Sequence, residues 1–131
     1  MILPTGATVA VVDGGKLAMF HNTGHETVQL EALPTPAIDK GAGSPGHHTS
    51  SANPGHGIHG EDGFAAGVAA MLNAQAMSGK LGDLVVIAAP RTLGELRKHW
   101  HKALQAKLIG EIAKDLTGQS PDHIAAAILH A

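Results

Sequence analysis

The run from Asp83 to Ala89, DLVVIAA, limits the folds open to this chain more than any other feature. After its first residue it is continuously apolar, which is the pattern of a strand that is buried on both faces and paired in parallel. Pro90 ends the run. A strand of this kind needs helices on both faces of its sheet, so the rest of the chain must supply them.

The remaining patterns predict where those neighbours lie. Three antiparallel strands are expected at Ala7–Val12, Lys16–His21 and Glu26–Leu33, joined by the turns Asp13-Gly14-Gly15 and Asn22-Thr23-Gly24, and a fifth strand at Leu108–Ala113. Helices are expected from Glu61 to a cap at Gly79, from a Thr92–Glu95 capping box through Leu93, Leu96, Trp100 and Leu104, and after the N-cap Ser120 and Pro121.

The order βββαβαβα predicts an α/β fold, a mixed five-stranded sheet with flanking helices. This is also the order of ribonuclease H-like proteins. At 131 residues the chain is expected to form one domain, residues 1–131.

The segment from Pro34 to Gly60 differs from the rest, since it holds four prolines, six glycines and four histidines and repeats at no regular period. It is expected to be one long loop. Its histidines, His47, His48, His56 and His59, are candidate ligands for a divalent metal ion. The alternative is a polar loop without metal, and it is favoured because glycine, serine and proline separate the histidines without the fixed spacing of a zinc site.

Composition excludes several classes of protein. The chain has no cysteine, which rules out a disulfide scaffold, a thiolate zinc site and an iron–sulfur cluster. The net charge of -2 argues against indiscriminate binding to nucleic acid or anionic membranes. No segment reaches the roughly 18 apolar residues of a membrane span, and no secretory signal pattern opens the chain, so a cytoplasmic location is expected.

Asp13 follows the first predicted strand, the place of a magnesium-binding carboxylate in ribonuclease H-like nucleases. Two-metal catalysis needs several converging carboxylates. The next helix offers only Glu61 and Asp62 at its start, and the fourth strand ends without any acid. A role in the hairpin turn is therefore favoured for Asp13.

Two further groups of residues are candidates for binding. Arg97, Lys98 and Lys102 lie in a basic stretch and could contact RNA phosphates, the alternative being an ordinary solvated helix face. Arg91, Thr92, Lys114, Asp115 and Thr117 follow the two parallel strands, whose carboxyl ends usually hold ligands, and could form one polar site. The alternative is that Asp115 and Thr117 stabilise the local turn, and it is favoured because such turns are common.

The chain resembles the bacterial host attachment protein family from about Thr8 onward. The resemblance rests on Val11-Val12-Asp13-Gly14 with Lys16–Phe20, on Phe64-Ala65, on Val86–Pro90 with Leu93–Arg97, and on Glu111-Ile112 with Lys114–Thr117. It implies the fold of the central domain of archaeo-eukaryotic peptide-chain release factors and a role in attachment to host cells. The Gly-Gly-Gln motif of peptide release is absent, since Thr117 precedes Gly118-Gln119. In the long loop, Gly43–His47 lacks the two arginines of the family's charged element.

Two functions follow as hypotheses. The first is a non-enzymatic binding protein without a cofactor, whose partner is the ribosome, RNA, another protein or a host cell. The second is a metal-dependent hydrolase or nuclease with a degenerate ribonuclease H-like site, built from Asp13 and the loop histidines.

Overall fold

The structure is a computed structural model that describes residues 1–38 and 56–131. The strands are β1 (Thr8–Val12), β2 (Leu17–Asn22), β3 (Leu30–Leu33), β4 (Leu84–Ala88) and β5 (Leu108–Ala113). The helices are α1 (His56–Met77), α2 (Pro90–Arg97), α3 (Lys102–Gln105) and α4 (Pro121–Leu129). Within these residues, no helix has both the length and the apolar character to cross a membrane.

The strands form a mixed open sheet in the order β3-β2-β1-β4-β5. The pairs β1–β2 and β2–β3 are antiparallel, whereas β1–β4 and β4–β5 are parallel. This confirms the predicted α/β class, with a five-stranded mixed sheet and flanking helices in the ribonuclease H-like order. The long connections between parallel strands contain helices, as such connections require.

The apolar run is the middle of the core, as predicted. Every residue of β4 is buried. Leu84, Val86 and Ala88 pack in one layer with α1, α2 and α3, and Val85 and Ile87 pack in the other layer with α4. Each layer buries one of the two alternating sets of β4 side chains, which explains why the sequence has no polar position there.

The starts of β3 and α1 differ from the prediction. β3 begins at Leu30 rather than Glu26. α1 begins at His56 rather than Glu61, so the last five residues of the predicted loop are helical. The rest of that loop from residue 39 to 55 lies outside the described residues.

The capping box predicted for α2 is wrong. α2 begins at Pro90, and its N-cap residue, Ala89, makes no side-chain hydrogen bond. Proline is favoured in the first turn because its φ is preset and its missing N–H needs no partner there. Thr92 is therefore already inside the helix and cannot cap it. α2 also ends at Arg97, and Leu104 lies in the separate helix α3, where it is still fully buried.

Two helix ends agree with the prediction. The Ser120 hydroxyl accepts a hydrogen bond from the His123 N–H at 3.2 Å, and Pro121 is the first residue of α4. Gly79 follows α1 with φ of 76°, and the Lys80 N–H closes the end of the helix on the Gln75 carbonyl at 2.9 Å. Glycine suits this position because it adopts positive φ without steric strain.

Candidate functional site

The carboxyl ends of three neighbouring strands form one edge of the sheet. Val12 pairs with Ala88, and Ala88 pairs with Ala113, so the parallel strands β1, β4 and β5 end side by side. Asp13 and Lys114 are the next residues of the two outer strands of this group. The edge therefore brings Asp13, the start of α2 and the segment after β5 to the same end of the molecule, where open α/β sheets bind their ligands.

The Asp13 carboxylate organises the turn between β1 and β2. Its Oδ1 atom accepts hydrogen bonds from the N–H groups of Gly15 at 2.8 Å and Lys16 at 2.6 Å. These bonds explain why an aspartate precedes the two glycines of this turn. The favoured interpretation of Asp13, a role in the hairpin, agrees with these contacts.

Thr117 connects Asp13 to Asp115. The Thr117 hydroxyl donates to Asp115 Oδ1 at 2.5 Å, and the Thr117 N–H reaches the same oxygen at 3.3 Å. The hydroxyl is also close enough to the Asp13 carboxylate to help lower its pKa. The segment after β5 thus approaches the turn after β1 at the end of β4. The local-turn alternative describes the Asp115–Thr117 contact correctly, but the approach of Thr117 to Asp13 goes beyond a local turn.

The pKa of Asp13 lies below its ordinary value. Partial burial alone would raise this pKa, but hydrogen bonds from Gly15, Lys16 and Thr117, together with the Lys16 charge, outweigh burial. All four contacts stabilise the ionised carboxylate. The structure therefore favours a charged Asp13 at neutral pH.

The other three candidates of this group lie around the same edge. Arg91 and Thr92 occupy the first turn of α2, where Arg91 is exposed and Thr92 is half-buried. Lys114 is exposed directly after β5. The structure thus places all six predicted residues, Asp13, Arg91, Thr92, Lys114, Asp115 and Thr117, at one end of the sheet, and hydrogen bonds join Asp115 to Thr117.

The second candidate group lies at the end of α2 and the start of α3, and we call Arg97, Lys98 and Lys102 the α2–α3 surface. Arg97 contacts Glu111 of β5 at 2.9 Å through Nη2, and Lys98 contacts Glu95 at 3.0 Å. Lys102 is exposed at the start of α3. Two of the three predicted RNA contacts are therefore already paired with carboxylates of the same chain.

Residues that sequence reasoning did not select hold this surface in place. Glu111 accepts hydrogen bonds from Arg97 Nε at 3.0 Å and from Trp100 Nε1 at 3.3 Å. Asn73 of α1 donates to the His99 carbonyl at 2.8 Å and accepts from the His101 N–H at 3.0 Å. The sequence does distinguish Glu111, because it is the one charged residue in the otherwise uncharged strand LIGEIA. No sequence pattern distinguishes Asn73.

Comparison with known families agrees with this fold. The model of the Bacterial archaeo-eukaryotic release factor family 12 matches residues 6–128. The chain belongs to this family. No curated protein matches it. The match covers the whole sheet, including β1 at its centre and the candidate edge.

Membership of the release factor family supports the release-factor-like part of the sequence resemblance. The match concerns release factors and says nothing about attachment to host cells. The name of the host attachment family is therefore not carried over to this chain.

Only two of the four predicted metal ligands of this release factor family member lie within the described residues. His47 and His48 lie outside the described residues, whereas His56 and His59 lie within the first turns of α1. Among the residues whose side chains are described, no three histidine, aspartate or glutamate side chains are grouped in a way that could hold a metal ion.

The contacts of Asp13 predict a specific pH dependence. A lowered folded-state pKa contributes stability above the unfolded pKa of about 3.9, and this contribution is lost as the pH falls through the folded value. Replacing Asp13 by Asn keeps an oxygen acceptor but removes the charge. We expect Asp13→Asn to lower the free energy of unfolding by about 1 kcal/mol at neutral pH, with the difference disappearing below about pH 4. Urea unfolding at several pH values measures this, and a constant difference would contradict it.

Proposed function

We propose that this chain is a non-enzymatic protein that binds the ribosome by contacting RNA phosphates with the α2–α3 surface. The observation that carries the proposal is that Arg97 ends α2, Lys98 is its C-cap residue and Lys102 begins α3, and that all three are exposed. Membership of a release factor family supports the choice of the ribosome as partner.

The ion pairs of this surface are compatible with phosphate binding. The Arg97 and Lys98 side chains are 56% and 68% exposed. Solvent screens ion pairs whose cations are this exposed, so they contribute little to stability and a phosphate can readily replace the carboxylate. Glu111 and Glu95 then act as internal partners that keep the cations extended in the free protein.

Lys102 offers the sharpest test. We expect Lys102→Ala to weaken ribosome co-sedimentation and to reduce the slope of log affinity against log salt by about one, because one phosphate contact is lost. Lys80→Ala is the matched control, since Lys80 is also an exposed lysine and lies between α1 and β4. The control should sediment like the unmodified protein. If the unmodified protein binds ribosomes at neither low nor moderate salt, the proposal is overturned.

A metal-dependent nuclease is the alternative proposal. The observation that favours it is the approach of Asp13 and Asp115 to the same Thr117 hydroxyl, which brings two carboxylates to the carboxyl edge of the sheet. Two-metal catalysis would need further ligands there. Metal retained by untagged protein, together with RNA cleavage that Asp13→Asn abolishes, would favour this alternative over ribosome binding.

A further inference from the structure

His101 belongs to the short segment that joins the two helices of the α2–α3 surface. α2 ends at Arg97 and α3 begins at Lys102. His101 is exposed and is the residue directly before Lys102, to which the proposed function assigns an RNA phosphate. The two nitrogens of its imidazole ring have different surroundings, and the difference decides what His101 can offer to a ligand.

The Nδ1 atom of His101 caps α3. It accepts a hydrogen bond from the Ala103 N–H at 3.0 Å, as the side-chain oxygen of serine or asparagine does at other helix starts. A ring nitrogen that accepts a hydrogen bond carries no proton, so the proton of the neutral imidazole is on Nε2. The cap therefore fixes both the tautomer and the direction of the ring, and leaves one N–H donor.

This donor is not used within the described part of the chain. None of the described residues accepts a hydrogen bond from His101 Nε2, and the residue is exposed. His99 differs, because its Nε2 lies 3.4 Å from Glu95 Oε2. Of the two histidines in this segment, His101 is thus the one whose outer nitrogen is available to a ligand.

The backbone of His101 is also held in place. Its N–H donates to Asn73 Oδ1 at 3.0 Å, while Asn73 Nδ2 donates to the His99 carbonyl at 2.8 Å. Asn73 lies on α1, so a second helix positions the segment that carries His101. A donor whose backbone and ring are both held loses little conformational freedom when it binds, and this favours binding.

We infer that the Nε2–H of His101 donates a hydrogen bond to a phosphate oxygen of the ribosomal RNA that the α2–α3 surface contacts. This inference rests on the proposed ribosome binding and adds an uncharged contact to it. Phosphate oxygens only accept hydrogen bonds, and proteins contact them with neutral donors as well as with arginine and lysine. Lys102 supplies positive charge, whereas His101 supplies a directed hydrogen bond.

Co-sedimentation with purified ribosomes at pH 8, over a series of salt concentrations, tests this inference. Histidine ordinarily titrates near pH 6.5, so the imidazole is neutral under these conditions. We expect His101→Ser to weaken binding about three- to tenfold, the usual effect of one lost hydrogen bond. The slope of log affinity against log salt should stay unchanged, because a neutral donor releases no counterion. Lys102→Ala should reduce that slope.

Serine separates the contact with RNA from the cap. Its hydroxyl can accept from the Ala103 N–H but has no donor at the position of Nε2, whereas His101→Ala removes the cap as well. The two variants should therefore lose similar amounts of binding. His123→Ser is the matched control, since His123 is an exposed histidine of α4, on the opposite face of the sheet. It should bind like the unmodified protein.

The outcomes distinguish this inference from the proposal on which it rests. If His101→Ser binds as tightly as the unmodified protein while Lys102→Ala binds more weakly, the inference is overturned and ribosome binding stands. A loss confined to His101→Ala would show that only the cap matters, and a reduced salt slope for His101→Ser would show a charged contact. Either result also overturns the inference. If the unmodified protein does not bind ribosomes, both are overturned.

Discussion

Replacing Gly24 by alanine should lower the free energy of unfolding of this protein by about 3 kcal/mol or more. Gly24 is buried in the connection between β2 and β3. A Cβ atom there would overlap the carbonyl oxygen of Thr27 and come within 3.0 Å of the Gln29 nitrogen. Both are backbone atoms, so no side-chain rotation can relieve the overlap. Urea unfolding followed by the fluorescence of the single tryptophan measures the loss.

Gly94 provides the matched control for this substitution. It lies in α2, and a Cβ atom added there meets nothing within 4 Å. Gly94→Ala should therefore stabilise the protein by about 0.5–1 kcal/mol, the usual gain for alanine over glycine in a helix. Equal effects of the two substitutions would show that the connection between β2 and β3 can rearrange.

Replacing Asn22 by alanine should lower the free energy of unfolding by about 3 kcal/mol. Asn22 is the one buried polar side chain of the described residues, and it is 2% exposed. Its Nδ2 donates to the carbonyls of Leu3 and Pro4 at 3.0 and 3.2 Å, while its Oδ1 accepts from the N–H groups of Gly24 and Gln29, both at 3.0 Å. Alanine would remove the side-chain partners of the Leu3 carbonyl and the Gly24 N–H, whose hydrogen bonds with Asn22 are buried.

The neighbouring residue tests whether hydrogen bonding of the buried amide causes that loss. Thr23 is exposed, and its hydroxyl donates to the Gln29 carbonyl at 3.3 Å. Thr23→Ala should change the free energy of unfolding by less than about 0.5 kcal/mol. If Asn22→Ala were equally mild, water must replace the amide in the folded state.

The parts of the fold that sequence predicts are those with strong local patterns. β5 and the start of α4 are placed correctly, because a short, mostly apolar run and a Ser-Pro helix start are both local signals. The start of α2 is placed too late, because Thr92 and Glu95 match a capping box while Pro90 begins the helix earlier. At the break between α2 and α3, Asn73 of another helix hydrogen-bonds the backbone of His99 and His101. No local pattern carries that information.

The candidate site at the carboxyl edge of the sheet is likewise predictable from sequence only in part. The rule that parallel strands expose their carboxyl ends together is sufficient to bring Asp13, Arg91 and Asp115 to one end of the sheet. The approach of the Thr117 hydroxyl to Asp13 depends on how the segment after β5 crosses the end of β4, which only the three-dimensional structure describes. Likewise, the sequence correctly predicts a turn at Asn22-Thr23-Gly24. It does not predict that the Asn22 side-chain amide is buried there and donates to the carbonyls of Leu3 and Pro4.

The central place of β1 in the sheet has a consequence for synthesis of the chain. β1 and β2 leave the ribosome early, but the parallel partner of β1 comes much later, since Thr8 pairs with Leu84. At about 5–20 residues per second, the nascent hairpin waits several seconds with the apolar edge of β1 unpaired. Pairing between distant segments is also slow once both are present. The nascent β1–β2–β3 meander is therefore the stage at which this chain is most exposed to aggregation.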